Sequence, residues 1–140
     1  MGGERIIKAR DVMNPFVVTV RPDDTAWTAL ELMMSRGIGA LVVVEGNRPV
    51  GIVTERDILR SLLKKRGPED LLLTLVRDVM SKELITCTPD TPLVDVLTKM
   101  VERNIRRVPV ISNGMLEGII TERNCIRALL DLISAHRVAV

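Results

Sequence analysis

One segment of this chain occurs twice. Residues 11–63 align without a gap on residues 78–130, and 19 of the 53 aligned positions are identical. Both copies begin with Asp-Val-Met, and they end with GIVTERDILRSLL at 51–63 and GIITERNCIRALL at 118–130. One copy of this length buries too little surface to be stable alone. We therefore expect the two copies to pack together as one module.

Each copy predicts the element order β-α-β-β-α, and the fold class is therefore α/β (α+β). Short apolar runs, FVVTV at 16–20 and LITCT at 84–88, predict a first strand closed by a Pro-Asp turn. Apolar residues at helical spacing follow and predict a helix that ends at Gly37 or Asn104. Two strands rich in β-branched residues and a second amphipathic helix complete the copy.

The repeat also predicts the domain boundaries. The first repeat covers 1–66 with its core at 11–63, and the second covers 78–140 with its core at 78–130. Residues 67–77 contain the breaker Gly67-Pro68 and a leucine run, which predict a crossover linker packed on the surface. Two repeats related by a pseudo-twofold axis would leave two equivalent clefts, each lined by both repeats.

The composition argues against several classes of protein. The net charge is only +2, and Phe16 and Trp27 are the only aromatic residues, so nucleic-acid binding lacks both a phosphate track and stacking side chains. No apolar run could span a bilayer, and the first ten residues do not resemble a secretory signal. We expect a cytoplasmic protein, and the excess of arginine over lysine leans toward a thermophilic source.

The sequence predicts neither catalysis nor metal binding. Its single histidine is His136, and Cys87 and Cys125 lack the spacing of metal ligands or of a disulfide framework. No nucleophile–base pair or carboxylate cluster can be assigned to one site. We expect no enzyme activity, metal or cofactor, and we interpret the cysteines as buried apolar residues.

The repeated Thr-Glu-Arg-Asp/Asn phrase has two interpretations. Thr54 and Asp57 fit a helix cap, in which the threonine oxygen accepts from a first-turn amide. The same strand-to-helix junction can bind an anion, and a carboxylate there can accept from both hydroxyls of a ribose. Asn124 replaces the acid in the second copy and has one acceptor oxygen. The first copy is therefore better suited to a ligand.

The doubled pattern DVM…VTVRPDDT…GIGALVVVEGNRPVGIVTERDIL resembles the CBS domain, and its tandem arrangement resembles a Bateman module. The resemblance covers about 11–133. It implies a regulatory sensor, not an enzyme, that binds an adenosine ligand such as AMP, ADP, ATP or S-adenosylmethionine. It also implies a homodimer that pairs through its helices and an effector protein that the sequence does not name.

The resemblance further implies how the two clefts are lined. Asp57 would hold the ribose, the arginines and Thr54 the phosphate, and Ile85 with neighbouring backbone the adenine. The first cleft would contain Thr54, Asp57, Ile85, Arg106, Arg107 and Arg123. The second cleft would contain Val18, Gly39, Ala40, Arg56, Thr121 and Asn124. Since the second cleft lacks the acid and the paired arginines, we expect one competent site per chain.

AMP is the leading ligand in this interpretation, because three arginines favour a phosphate over the positive sulfonium of S-adenosylmethionine. The choice among AMP, ADP and ATP stays open. Two alternatives also stay open. One is a sensor of S-adenosylmethionine, and the other is a structural dimerisation or interaction module whose clefts bind nothing.

Overall fold

The computed structural model describes residues 6–64 and 67–139, with side chains described up to residue 135. It consists of two compact units. Val18–Leu84 forms the first, named here the Asp57 unit. Met1–Val17 and Ile85–Val140 together form the second, named here the Asn124 unit. The expected mixed α/β class, with a repeated order of elements, is confirmed.

The elements in chain order are α1 (Ala9–Val12), β1 (Thr19–Val20), α2 (Ala26–Arg36), β2 (Ala40–Glu45), β3 (Arg48–Thr54), α3 (Glu55–Leu63), a 3-10 helix (Pro68–Leu72), α4 (Val76–Val79), α5 (Leu93–Arg103), β4 (Arg107–Ser112), β5 (Met115–Thr121) and α6 (Glu122–Ala139). The Asp57 unit has a sheet in the order β1-β2-β3, in which β1 is parallel and β3 antiparallel to β2. The Asn124 unit has the antiparallel pair β4-β5. None of the helices in the described residues is both long and apolar enough to cross a membrane.

The hydrophobic pattern positions the helices against the sheets as expected. Strand β2 is buried from Ala40 to Val44, and the apolar face of α2 covers it with Ala29 and Met33. In the Asn124 unit, Val96 and Met100 of α5 occupy the equivalent positions in a second core cluster. The predicted helix ends are confirmed, because both Gly37 (φ 65°) and Asn104 (φ 53°) adopt the left-handed conformation that ends a helix.

Two-residue turns join the strands of each hairpin. Gly46 and Asn47 have φ values of 56° and 68°, and Asn113 and Gly114 have values of 54° and 78°. Positive φ at both central residues is the mark of the type I′ turn, which suits the twist of paired strands. Each hairpin loop therefore contains only two residues, because Arg48 and Pro49 in the first hairpin and Ser112 in the second are paired in the strands.

Each unit includes the Asp-Val-Met segment with which the other repeat begins. Asn14 and Ile119 exchange two backbone hydrogen bonds of 2.9 and 3.0 Å in the Asn124 unit. Ser81 and Ile52 do the same in the Asp57 unit, at 2.8 and 3.0 Å. A glycine is needed beside each segment: a Cβ on Gly51 would lie 2.8 Å from the Ser81 carbonyl oxygen.

The linker between the repeats, residues 67–77, is partly buried, and the prediction that it packs on the surface was wrong for Leu71, Thr74 and Val76. Leu71 and Val76 belong to the hydrophobic core of the Asp57 unit. Thr74 is also buried, and its hydroxyl donates to the carbonyl of Asp70 at 2.8 Å. The first leucine of the run is therefore part of this unit's core, whereas Leu72 and Leu73 stay exposed on its surface.

The first strand of each repeat is shorter than predicted. FVVTV contributes only Thr19 and Val20 to the sheet, and LITCT contributes a single parallel bridge between Cys87 and Val110. In the Asp57 unit, Thr19 pairs with Val42. The residue equivalent to Val42 in the second repeat is Pro109, which has no N–H to donate to a second pair.

Candidate functional site

The strand-to-helix junction forms the same capping box in both repeats. Asp57 N–H donates to Thr54 Oγ1 at 3.1 Å, and Thr54 N–H donates back to Asp57 Oδ2 at 2.9 Å. Asn124 N–H donates to Thr121 Oγ1, and Thr121 N–H donates to Asn124 Oδ1, both at 3.0 Å. The capping interpretation of the motif is therefore confirmed at both copies. A ligand can bind only to the polar atoms that these boxes do not use.

The two capping boxes present opposite polarity to a ligand. The box uses Oδ2 of Asp57, so Oδ1 stays available as a charged acceptor, with Arg60 Nη1 3.9 Å away. In the second repeat the box uses the only side-chain oxygen of Asn124, and the amide NH2 is the group that remains. The Asp57 side chain is 19% exposed, so a ligand can still reach it. The first junction offers an acceptor and the second a donor.

Asp57 also lines a cavity of about 360 Å³ within its own unit. This volume lies at the lower end of the range typical for small-molecule sites. Asp57 is the only predicted site residue among the lining residues, which are Asp57, Arg60, Ser61, Lys64, Thr74, Asp78 and Val79. The acid therefore borders an open space and is not sealed beneath the helix.

The three arginines predicted for the first cleft lie at one end of the Asn124 unit. Arg107 pairs with Thr121 across β4 and β5, and the Glu122 N–H donates to the Arg106 carbonyl at 2.8 Å. Arg123 is exposed in the first turn of α6, Arg106 is exposed and Arg107 is half-buried. Three arginines are thus brought to the N-terminal end of a helix, where the backbone also favours an anion.

The equivalent end of the Asp57 unit has the same backbone hydrogen bond and strand pairing but less positive charge. The Glu55 N–H donates to the Gly39 carbonyl at 3.0 Å, and Ala40 pairs with Thr54. Arg56 is exposed in the first turn of α3 and is the counterpart of Arg123. The charge difference between the repeats therefore comes from side chains alone.

Ile85 has a backbone carbonyl that the sheet does not use. Within residues 6–64 and 67–139, no N–H group donates to this oxygen, because the neighbouring strand has Pro109 at the position that would supply it. Ile85 is half-buried. Its carbonyl can accept a hydrogen bond from a ligand amine. In the Asp57 unit the counterpart of Ile85 is Val18, and there Val42 retains its N–H and pairs with Thr19.

These features can be compared with those of known proteins. The CBS domain family matches the chain twice, at residues 9–64 and 76–131. The chain belongs to the CBS domain family. It is 33% identical over 121 residues to protein MJ1225 of Methanocaldococcus jannaschii. That alignment covers 86% of this chain but 42% of the relative, so the chain spans less than half the length of MJ1225.

Solved structures include other CBS domain pairs. The structure of CBSX2 in complex with AMP is 28% identical, with a TM-score of 0.77, and the match covers 89% of this chain and 97% of CBSX2. The CBS domain pair of protein MJ0100, solved with 5-methylthioadenosine and S-adenosyl-L-methionine, has a TM-score of 0.78 at 24% identity. That match covers 89% of this chain and 97% of the other, and at this identity it shows the shared fold alone.

Each predicted cleft of the CBS pair draws on both units. The Asp57 unit contains Val18, Gly39, Ala40, Thr54, Arg56 and Asp57. The Asn124 unit contains Ile85, Arg106, Arg107, Thr121, Arg123 and Asn124. The structure brings together the members of each half, and the pairing of halves into two clefts stays a prediction.

Two residues of the CBS pair were missed by sequence reasoning. Lys99 Nζ donates to the Thr86 carbonyl at 2.8 Å, and Pro109 keeps the Ile85 carbonyl out of the sheet. Both could have been found by asking where the repeats differ, since the counterparts are Leu32 and Val42.

The cysteines of the CBS pair are buried and free, as expected. Burial raises the pKa of Cys87 to about 11, and it also raises the pKa of Cys125. Thiols that stay protonated at neutral pH are poor nucleophiles and poor metal ligands. No group of three potential metal ligands occurs in the part of the chain that the structure describes; the side chain of His136 lies outside that part.

Proposed function

We propose that this CBS domain pair is a regulatory module that binds an adenosine nucleotide, with AMP as the leading ligand. The observation that carries the proposal is the polarity of the first junction. Asp57 completes a helix cap with one oxygen and keeps the other available, half-buried and charged. A carboxylate in this state is a strong acceptor for the hydroxyls of a ribose. The AMP complex of the related CBSX2 supports the choice of ligand.

The other contacts follow from the groups that each residue offers. The Ile85 carbonyl accepts from the amino group of adenine, since no N–H of the described residues occupies it. Arg106, Arg107 and Arg123 bind the phosphate, because guanidinium groups at the end of a helix combine charge with directed N–H donors. This assignment combines Asp57 of the Asp57 unit with Ile85 and the three arginines of the Asn124 unit.

The second predicted cleft, which contains Asn124, binds the nucleotide more weakly in this proposal. Asn124 presents an amide NH2 in place of a carboxylate oxygen, and Gly39 and Ala40 supply no charge. A ribose hydroxyl could still accept from the amide, but the hydrogen bond would lack the assistance of a full charge. One ligand per chain is therefore expected at concentrations that saturate the first site.

Calorimetric titration of the nucleotide-stripped protein with AMP, ATP and S-adenosylmethionine tests the proposal. We expect AMP to bind at one per chain. The double variant Arg106→Gly with Arg107→Ala installs the residues of the first repeat, and it should weaken AMP at least tenfold while adenosine binding is retained. Arg56→Ala, at the counterpart of Arg123, is the matched control and should leave AMP binding unchanged.

The same titration separates the alternatives. Tight binding of S-adenosylmethionine with no response to AMP would replace the nucleotide sensor with a sensor of that ligand. An absence of heat for every ligand, with the protein folded, would leave a structural interaction module as the better account. Binding of AMP that does not depend on the paired arginines would refute their assignment to the phosphate.

We also propose that a second copy of the chain covers the exposed faces of the helices. Eight large apolar residues are exposed at equivalent positions of the two repeats. The pairs are Trp27 and Val94, Met34 and Val101, Leu59 and Ile126, and Leu63 and Leu130. Repeated apolar positions that leave such side chains in water favour a partner surface. The effector that the module regulates would then contact the dimer.

Analytical ultracentrifugation tests this arrangement. The wild-type protein should sediment as two chains of 15.6 kDa each. Leu63→Glu combined with Leu130→Glu should yield monomers, because both side chains are exposed in one chain and would carry charge into the interface. Lys82→Glu, at an exposed position outside the helices, is the control for added negative charge. A monomeric wild-type protein would contradict the proposal.

A further inference from the structure

Lys99 places an ammonium group where the first repeat has hydrocarbon. Its counterpart Leu32 is partly buried and packs against the hydrophobic core of the Asp57 unit. Lys99 is also partly buried on α5, and its Nζ donates to the Thr86 carbonyl at 2.8 Å. Within the described ranges, no carboxylate lies close enough to form an ion pair with it. A lysine can pack its hydrocarbon chain in such a place while its ammonium stays polar-bonded, so the bond to Thr86 is what distinguishes Lys99 from Leu32.

The segment that Lys99 contacts is weakly attached to the sheet. Cys87 makes one bridge to β4, in which its N–H donates to the Pro109 carbonyl at 3.0 Å and its carbonyl accepts from the Ile111 N–H at 2.8 Å. Pro109 prevents the next pair, which the first repeat does make. Lys99 thus supplies a hydrogen bond to Thr86, next to Ile85, whose carbonyl lacks the bond that Pro109 cannot donate.

The charge of Lys99 also acts on Cys87, the residue that forms the bridge to β4. Burial is the main cause of the raised pKa of Cys87, and the charge of Lys99 acts in the opposite direction and lowers it. The ammonium therefore lies beside both Thr86 and Cys87, on the segment that includes Ile85. An ammonium–carbonyl hydrogen bond is stronger than a neutral one and suits this holding role.

We propose that Lys99 is a positioning residue for the nucleotide: by holding the Thr86 carbonyl it fixes the neighbouring Ile85 carbonyl where the amino group of adenine can donate to it. The inference rests on the proposed function and deepens it. Pro109 frees the Ile85 carbonyl from the sheet, and Lys99 limits the mobility that this freedom would otherwise bring. The first repeat, with Val42 and Leu32, has neither feature.

Titration of Lys99→Met with AMP and with adenosine tests the positioning role. Methionine keeps the length of the side chain and removes the donor. We expect the Kd values of both ligands to rise by about tenfold, because the segment would then have to be ordered when the ligand binds, at a cost of about one residue's backbone entropy. Lys99→Arg, which retains a donor, should restore most of the affinity. Leu32→Met, the same new residue at the equivalent position, is the matched control and should change neither Kd.

Other outcomes would overturn the inference. A loss for AMP alone would mean that Lys99 acts on the phosphate through its charge and does not position the base. Unchanged affinity for both ligands would remove Lys99 from the site.

Hydrogen exchange of the Cys87 and Ile111 amides, measured without ligand, distinguishes this inference from the proposed function. Both amides should exchange about tenfold faster in Lys99→Met. If the wild-type protein binds no nucleotide, the proposed function fails and the nucleotide role of Lys99 fails with it. Faster exchange would then show that Lys99 still holds the segment, whereas unchanged exchange would refute the holding role as well.

Discussion

Replacing Asp57 by asparagine separates the two roles of this residue, because the second repeat already shows what asparagine does at the same junction. The Asn124 box has hydrogen bonds of 3.0 and 3.0 Å, against 2.9 and 3.1 Å in the Asp57 box. The cap should therefore survive the change. What is lost for the fold is the attraction of an acid to the first turn, about 0.3–1 kcal/mol, and a weak pair with Arg60, which is 66% exposed.

The expected effect on binding is larger. The introduced asparagine would commit its only side-chain oxygen to the Thr54 N–H, as Asn124 does with Thr121, and would present NH2 to the ligand. Losing a hydrogen bond to a charged acceptor costs roughly 1.5–3 kcal/mol, or about 10- to 150-fold in Kd. The variant Asp57→Asn should thus bind AMP much more weakly while its free energy of unfolding falls by less than about 1 kcal/mol.

The assay pairs calorimetric titration with urea unfolding of nucleotide-free protein, since bound ligand would itself raise the apparent stability. Asp57→Ala is the first control and should lose about 1 kcal/mol more of stability, because alanine leaves the Thr54 N–H without its acceptor in the capping box. Asn124→Asp is the reciprocal control, and it should keep both fold and AMP affinity. Wild-type affinity in Asp57→Asn would refute the role of the carboxylate, and a loss of stability as large as that of Asp57→Ala would refute the equivalence of the two caps.

Three further predictions concern the fold. Gly51→Ala should lower the free energy of unfolding in urea by about 1–3 kcal/mol, because the new Cβ would lie 2.8 Å from the Ser81 carbonyl oxygen; an unchanged midpoint would contradict this close approach. Arg77→Ala should cost less than about 1 kcal/mol in the same assay, because its pair with Asp23 is exposed, and a larger loss would show that the pair does more. Stability should fall as the pH rises from 9 toward 11, because the folded protein keeps the Cys87 thiol protonated after the unfolded chain has released its proton; Cys87→Val should reduce this dependence, and an identical pH profile in the variant would exclude the thiol as its source.

Much of each repeat could be predicted from local pattern. The helices, their ends at Gly37 and Asn104, and the paired strands of each hairpin follow from hydrophobic spacing and from residues that tolerate positive φ. These features depend on neighbours within a few residues, which the sequence displays directly. The capping box at Thr54 and Asp57 is local in the same sense, and it was predicted for that reason.

The candidate site was predictable in its residues but less so in its chemistry. That Asp57 and Asn124 differ is evident from the sequence. That the box consumes the one oxygen of asparagine and leaves a donor required the hydrogen bonds themselves. Lys99 was missed because it follows no motif, and its importance depends on a carbonyl thirteen residues away.

The sequence by itself determined the duplication, the order of elements and the faces of the helices, because these depend on periodicity and short-range geometry. Only the tertiary structure decided which repeat each Asp-Val-Met segment packs against, since the two segments are identical and local pattern cannot distinguish their partners. It also decided that Leu71 and Val76 of the linker enter a core, and that Pro109 leaves the Ile85 carbonyl without a backbone donor among the described residues. Such outcomes depend on the free energy of competing long-range contacts, and no window of the sequence contains both sides of those contacts.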